Sequence, residues 1–265
     1  MPRTFNGTSQ VFRETNTNAP IADYPFSIAV WFYPTFTIEN GAGEWNLWTQ
    51  EGGSTTWTIL RIDDDEDAGN MGKLQANARD GGGFVGNIQS TNLAQENEWN
   101  HCFLARASGD HVIILNGDDA NKGTSAAGTV AHSSHDDYVI GAFEFGGTTS
   151  DYWAGYMAWH TLWNVRLSNA EGLALAAGAH PMRIRPEAIV RCYPLWEPSA
   201  TDQGQDLSQN GDNIPNSNSP GVTIATGPPV VPYVPGVNRR NNLIITPAAA
   251  AGAAANKGWF SWRHA

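Results

Sequence analysis

The sequence predicts an all-β protein: a two-sheet antiparallel sandwich with one short helix and an extended C-terminal arm. Three observations lead there: apolar residues alternating with period two in separate segments, glycine-rich turns between them, and a change of composition near residue 226. A chain of 265 residues has room for one sandwich of about 200 residues and an appendage.

In the first clear strand, Phe26, Ile28, Val30 and Phe32 alternate and define one buried face, with Trp31 pointing the other way. Further along, Trp99, His101, Phe103 and Ala105 share one face while Cys102 and Leu104 share the other. A polar turn at Ser108-Gly109-Asp110 leads into His111–Leu115, which ends at Asn116-Gly117, two residues that tolerate positive φ and mark a hairpin. Short linkers punctuate the chain at Asn40-Gly41-Ala42-Gly43, Glu51-Gly52-Gly53, Asp80-Gly81-Gly82-Gly83 and Gly146-Gly147, as an antiparallel sandwich requires. The period then changes: Ser168 and Glu171 read as a capping box, Leu173, Ala176 and Ala177 follow at helical spacing, and Gly178 is placed to end the helix. After it, Pro186 stands just ahead of Ala188–Leu195, the expected last core strand returning near the first.

Three segments also carry a family resemblance: "FNGTSQVF" with "FSIAVWFYP", then "WNHCFLARASGDHVIILNGD", then "WAGYMAWHTLWNVRLSNAEGLALAAG". In that order they resemble the laminin-G-like members of the concanavalin A-like lectin/glucanase superfamily, which implies a jelly-roll topology for residues 1–225. The run from Arg166 to Asn213, with helix, proline-flanked strand and "DLSQNG" turn, is similar to laminin-G-like proteins often encoded by tailed bacteriophages and prophages. That likeness implies a non-enzymatic virion component, either a capsid decoration or head-surface protein or a tail or neck fibre subunit. Its expected partners are copies of itself and other virion proteins. A carbohydrate-binding adhesion module with a glycan partner is the alternative, and a glycoside hydrolase the third reading.

The acidic run Asp63-Asp64-Asp65-Glu66-Asp67 has to be weighed against the third. Glucanases of the superfamily carry Glu, Asp and Glu at alternating positions of one strand, so that all three face one cleft. Consecutive acids point to both faces and read as a solvated loop, with a calcium site second. Asp118-Asp119 and Asp136-Asp137 read as turn acids, and His132 with His135 as a loop pair without a third ligand. Trp45, Trp48 and Trp57, close to glycine-rich loops, suit stacking on a sugar ring, and core packing or a protein contact explains them equally well. No catalytic residue, metal site or cofactor is expected.

A net charge of −11 argues against nucleic acid. No secretory signal and no run of apolar residues long enough for a membrane span is visible; the resemblance to phage-encoded proteins, with the arm, implies the virion as the location. Cys102 and Cys192 are expected to be free buried thiols. Residues 213–265 hold four basic side chains and no acidic one, which makes the tail complementary to the body. Residues 226–265 form the proline- and alanine-rich arm, too poor in apolar surface to order itself. Its interface candidates are Pro232, Tyr233, Arg239, Arg240, Ile244, Trp259, Phe260, Trp262 and Arg263, packing on another chain.

Overall fold

The computed structural model describes residues 2–15, 20–21, 24–38, 43–52, 56–63, 71–81, 83–128, 135–197, 202–217, 221–222 and 227–230. Its strands begin with β1 (Arg3–Asn6), β2 (Val11–Glu14), β3 (Phe26–Pro34), β4 (Trp45–Gly52), β5 (Thr56–Asp63) and β6 (Lys73–Asp80). They continue with β7 (Gly83–Leu93), β8 (Asn100–Ala107), β9 (Asp110–Leu115), β10 (Gly123–Ser125), β11 (Asp137–Ile140) and β12 (Phe143–Phe145). The last are β13 (Thr148–Ser150), β14 (Ala154–Trp163), β15 (Ile189–Tyr193), β16 (Asn216–Ser217) and β17 (Gly221–Val222), with helix α1 (Asn169–Ala176) between β14 and β15.

Two antiparallel sheets form the sandwich. One has eight strands in the order β10-β9-β8-β3-β14-β1-β17, with β15 also pairing β14; the other has seven, β16-β2-β11-β4-β5-β6-β7. The alternation read from β3 holds: Phe26, Ile28, Val30 and Phe32 lie between the sheets with Leu60, Ile62, Tyr138 and Ile140 of the facing sheet. Trp31 joins Phe103, Ala105 and Trp163 on the outer side of the eight-stranded sheet. The Ser108-Gly109 turn closes β8 on β9, with Ala107 opposite Asp110. Asn116 and Gly117 both have positive φ and open the connection to β10, which pairs back on β9.

Helix α1 has the reciprocal Ser168–Glu171 capping box, and Gly178, at φ +91°, ends it in a Schellman arrangement with Ala179 donating to Ala174. Its buried stripe is Gly172 and Leu175, one step from the stripe expected. The reason is close approach: a Cβ on Gly172 would stand 2.3 Å from the Phe103 ring. Only glycine lets this helix rest on the sheet.

Polar groups fasten β2, β15 and the turn that follows it into place. Arg191 Nη2 on β15 is 3.3 Å from Glu14 Oε2 on β2, and Tyr193 donates its hydroxyl to Glu14 Oε1 at 2.8 Å, so a buried network joins the two sheets. In the DLS turn, Asp206 accepts from the amides of Cys192, Ser208 and Asp212. Both cysteines are free and buried, Cys102 between the sheets and Cys192 on the outer side, and burial pushes the Cys192 thiol up to about 12. The chain stays on the sandwich past residue 226, because Val230 packs on the outer cluster and the Pro229 carbonyl abuts Gly178. All nine interface candidates, Pro232, Tyr233, Arg239, Arg240, Ile244, Trp259, Phe260, Trp262 and Arg263, lie outside the described residues.

Candidate functional site

The outer face of the seven-stranded sheet gathers charge and aromatic surface at one place. Register sets Glu51 of β4 opposite Asp137 of β11 on one side and Trp57 of β5 on the other. Arg13 of β2 stands opposite Val139, two residues along the same face from Asp137. The β12–β13 hairpin then brings Glu144 in from above, turning at Gly146 and Gly147, whose φ values of 58° and 78° suit glycine.

Carboxylate oxygens of Glu51, Asp137 and Glu144 lie within 4.8 Å of one another. Arg13 Nη2 is 2.9 Å from Asp137 and 2.9 Å from Glu144, Thr149 donates its hydroxyl to Glu144, and the Gly146 amide donates to Glu51 at 3.0 Å. These oxygens are the ones a divalent cation would use, and a guanidinium already supplies their counter-charge. The group is therefore a clasp that fastens the hairpin to the sheet. Glu144 and Glu51 are almost fully buried.

With three acids around one guanidinium, one acid stays protonated over much of the pH range. Burial, with the charges of Glu144 and Asp137, pushes Glu51 up to about 7 against the pull of the Gly146 and Gly147 amides. A carboxyl raised above its unfolded value stabilises the fold below the unfolded pKa, and that contribution is lost as pH rises toward 7. Glu51→Gln, a neutral stand-in, is expected to melt at a higher temperature than the parent at pH 8 and to converge with it at pH 5. A gap of the same size at both pH values would show that Glu51 does not titrate in this window.

Beside the clasp runs a line of rings. Phe84, at the β6–β7 hairpin, is 68% exposed and meets Trp57 edge-on at 5.6 Å; Trp57 meets Phe143 at 5.7 Å, and Phe143 stacks with Phe145 at 6.0 Å. The clasp thus fixes two of the four rings, since Phe143 and Phe145 flank Glu144 on β12.

Of the tryptophans singled out from the sequence, the structure separates three fates. Trp48 is fully buried between the sheets, Trp45 stacks on Phe36 at 4.0 Å, and Trp57 belongs to the ring line. Asp63 is the buried last residue of β5 and accepts from Gln89, while Asp64–Asp67 lie outside the described residues. Asp118 caps a 3-10 turn and Asp119 accepts from Asn169 of α1, so both are turn acids. His135 is buried against Gln50, and His132 lies outside the described residues. Asp136 donates its amide to the Glu51 carbonyl, but Asp137 is a clasp member. Arg13, Glu51 and Glu144 were not legible as a site, because register alone brings them together.

A laminin G family model, described as Concanavalin A-like lectin/glucanases superfamily, matches residues 6–171. The chain belongs to this superfamily. Among solved structures, a Bacteroides ovatus ATCC 8483 protein with a proposed carbohydrate-binding role is similar at a TM-score of 0.52 and 16% identity, over 82% of this chain and 59% of its own. The CBM40 domain of the Ruminococcus gnavus IT-sialidase follows at a TM-score of 0.49 and 15% identity, over 66% of this chain and 98% of the domain. The heptameric SAP-like pentraxin of Limulus polyphemus has a TM-score of 0.45 and 15% identity, over 66% and 81%. At 16% identity the likeness to the Bacteroides ovatus protein shows the fold and no more. No curated protein matches the chain.

Proposed function

We propose that this superfamily member is a non-enzymatic carbohydrate-binding module. The observation that carries the reading is the ring line of Phe84, Trp57, Phe143 and Phe145 on the outer sheet face. Its exposed end is the largest exposed apolar side chain on that face among the described residues. An aromatic face is electron-rich, and the C–H face of a pyranose is its natural complement. The adjoining acids support binding over hydrolysis, since Arg13, Thr149 and Gly146 occupy them.

Charge segregation favours a second role for the same protein. The basic tail, residues 213–265, and the acidic body suit a structural component of a tailed-phage virion whose arm clamps neighbouring copies. The family resemblance of the closing segment supports this reading.

The test is a glycan array probed with the full chain, including β-glucan and galactan oligosaccharides. At least one glycan is expected to bind, and Phe84→Ala, an exposed site that leaves the core intact, should weaken that binding by about tenfold. A blank array, or turnover of any bound glycan, would overturn the proposal.

A further inference from the structure

We propose that the module carries a second sugar-stacking site, centred on Trp196, on the opposite face of the sandwich, making a single chain bivalent. This rests on the carbohydrate-binding reading above and extends it to a face which that reading does not use.

The two faces share a construction. On the seven-stranded sheet the exposed Phe84 is braced edge-on by the buried Trp57. On the eight-stranded sheet Trp196, 46% exposed, is braced edge-on by the buried Trp159 at 5.0 Å, and Trp159 meets His180 edge-on at 4.4 Å. Among the described residues Phe84 and Trp196 are the two exposed large aromatic side chains. A ring held from behind by a second ring presents a rigid face and loses little freedom when a ligand stacks on it.

The backbone under Trp196 is strained. Trp159 has φ +55° and Leu195 has φ +56°, a left-handed conformation that bulky residues rarely adopt. Trp159 sits where β14 shifts register against β3 between Ala158 and Thr161, and its amide donates at 3.1 Å to the carbonyl of Pro194, the residue before Leu195. A regular strand would have kept Trp159 in the pleat. The bulge instead re-aims it beneath Trp196, and strain of this kind gathers at binding sites. His180 accepts from the Met182 amide through Nδ1 and stays uncharged, since burial, together with the charge of Arg183, pushes it down to about 4. Trp159 is thus flanked by a neutral ring, and the exposed Arg183 is close enough to His180 for its charge to act on it.

The ligand class is a pyranose, its C–H face on Trp196. The two sites look away from each other across sheets about 10 Å apart, so one short oligosaccharide cannot fill both. Two glycans can, and a surface bearing many would be cross-linked.

The test uses the full chain and the strongest-binding β-glucan or galactan oligosaccharide, free in calorimetry and coupled to beads. The parent is expected to bind two oligosaccharides per chain and to agglutinate the beads. Phe84→Ala and Trp196→Ala should each keep one site at the parent's affinity, weaken the other about tenfold and lose agglutination, and the double variant should be weakened at both. Circular dichroism melts confirm that each variant is folded. Absence of all binding overturns the module reading and this proposal together. One site per chain, weakened by Phe84→Ala and untouched by Trp196→Ala, overturns the second site alone. So does a Trp196→Ala variant that changes oligomeric state with its glycan stoichiometry unaltered, since a second copy would then be the occupant of that face.

Discussion

Arg13→Ala is expected to destabilise the protein by about 3 kcal/mol at pH 8, the lower end of the range for stripping one partner from a buried charge cluster, since a quarter of the side chain is exposed. Without the guanidinium, Asp137 and the fully buried Glu144 lose its charge while their oxygens stay within 4.8 Å of each other and of Glu51. For a domain of this size the melting temperature should fall by about 6–12 °C. Acidification should return part of the loss, because protons can neutralise acids that Arg13 no longer balances. Adding Glu51→Gln should do the same at pH 8 by removing one of the three charges. The hairpin should respond before the sandwich does, so amide exchange at Gly146 is the most direct readout. Melting curves that are unchanged at pH 8 would mean that the clasp is a surface ion pair of no consequence.

The contrast between what was legible and what was not follows from how far apart the determining residues lie in sequence. Phe26, Ile28, Val30 and Phe32 announce their strand because period-two alternation is local, and Ser168 with Glu171 announces the helix because a capping box spans four residues. Asn116-Gly117 is likewise a statement about two φ angles. The clasp has no such signature: Arg13, Glu51, Asp137 and Glu144 belong to four strands, and only the β2-β11-β4 register and the hairpin bring them together. Trp159 illustrates the opposite failure. The stretch from Ala154 to Trp163 reads as an ordinary strand, and nothing local in it marks the bulge at Ala158–Thr161 that turns Trp159 toward Trp196. Equal-looking tryptophans therefore part company, Trp48 into the core and Trp57 onto the outer face, according to pleat and not to composition.

Truncation after Val230 is expected to leave a sandwich that folds cooperatively and no longer assembles. Among the described residues the inter-sheet core and the outer cluster run as far as Val230, whose side chain packs on that cluster, so the cut belongs after it and not at Thr226. Removing residues 227–230 as well would uncover the Gly178 end of α1, where the Pro229 carbonyl sits. Beyond the cut lie Tyr233, Ile244, Trp259, Phe260 and Trp262, with Arg239, Arg240, Lys257 and Arg263 and no acid. Such a segment has the apolar anchors and the positive charge to engage an acidic neighbouring body, and too little apolar surface to fold alone. Sedimentation velocity should therefore show oligomers for the full chain and monomers for the truncated one, with similar melting temperatures. Replacing Trp259, Phe260 and Trp262 with alanine should reproduce part of the defect, since buried aromatic anchors contribute about 2 kcal/mol or more each. Salt distinguishes the driving forces: association that survives 1 M salt is anchored by the rings, and association that dissolves is held by the arginines and the lysine. A truncated chain that assembled like the parent, or one that failed to fold, would return the arm to its own sandwich and end the clamp reading.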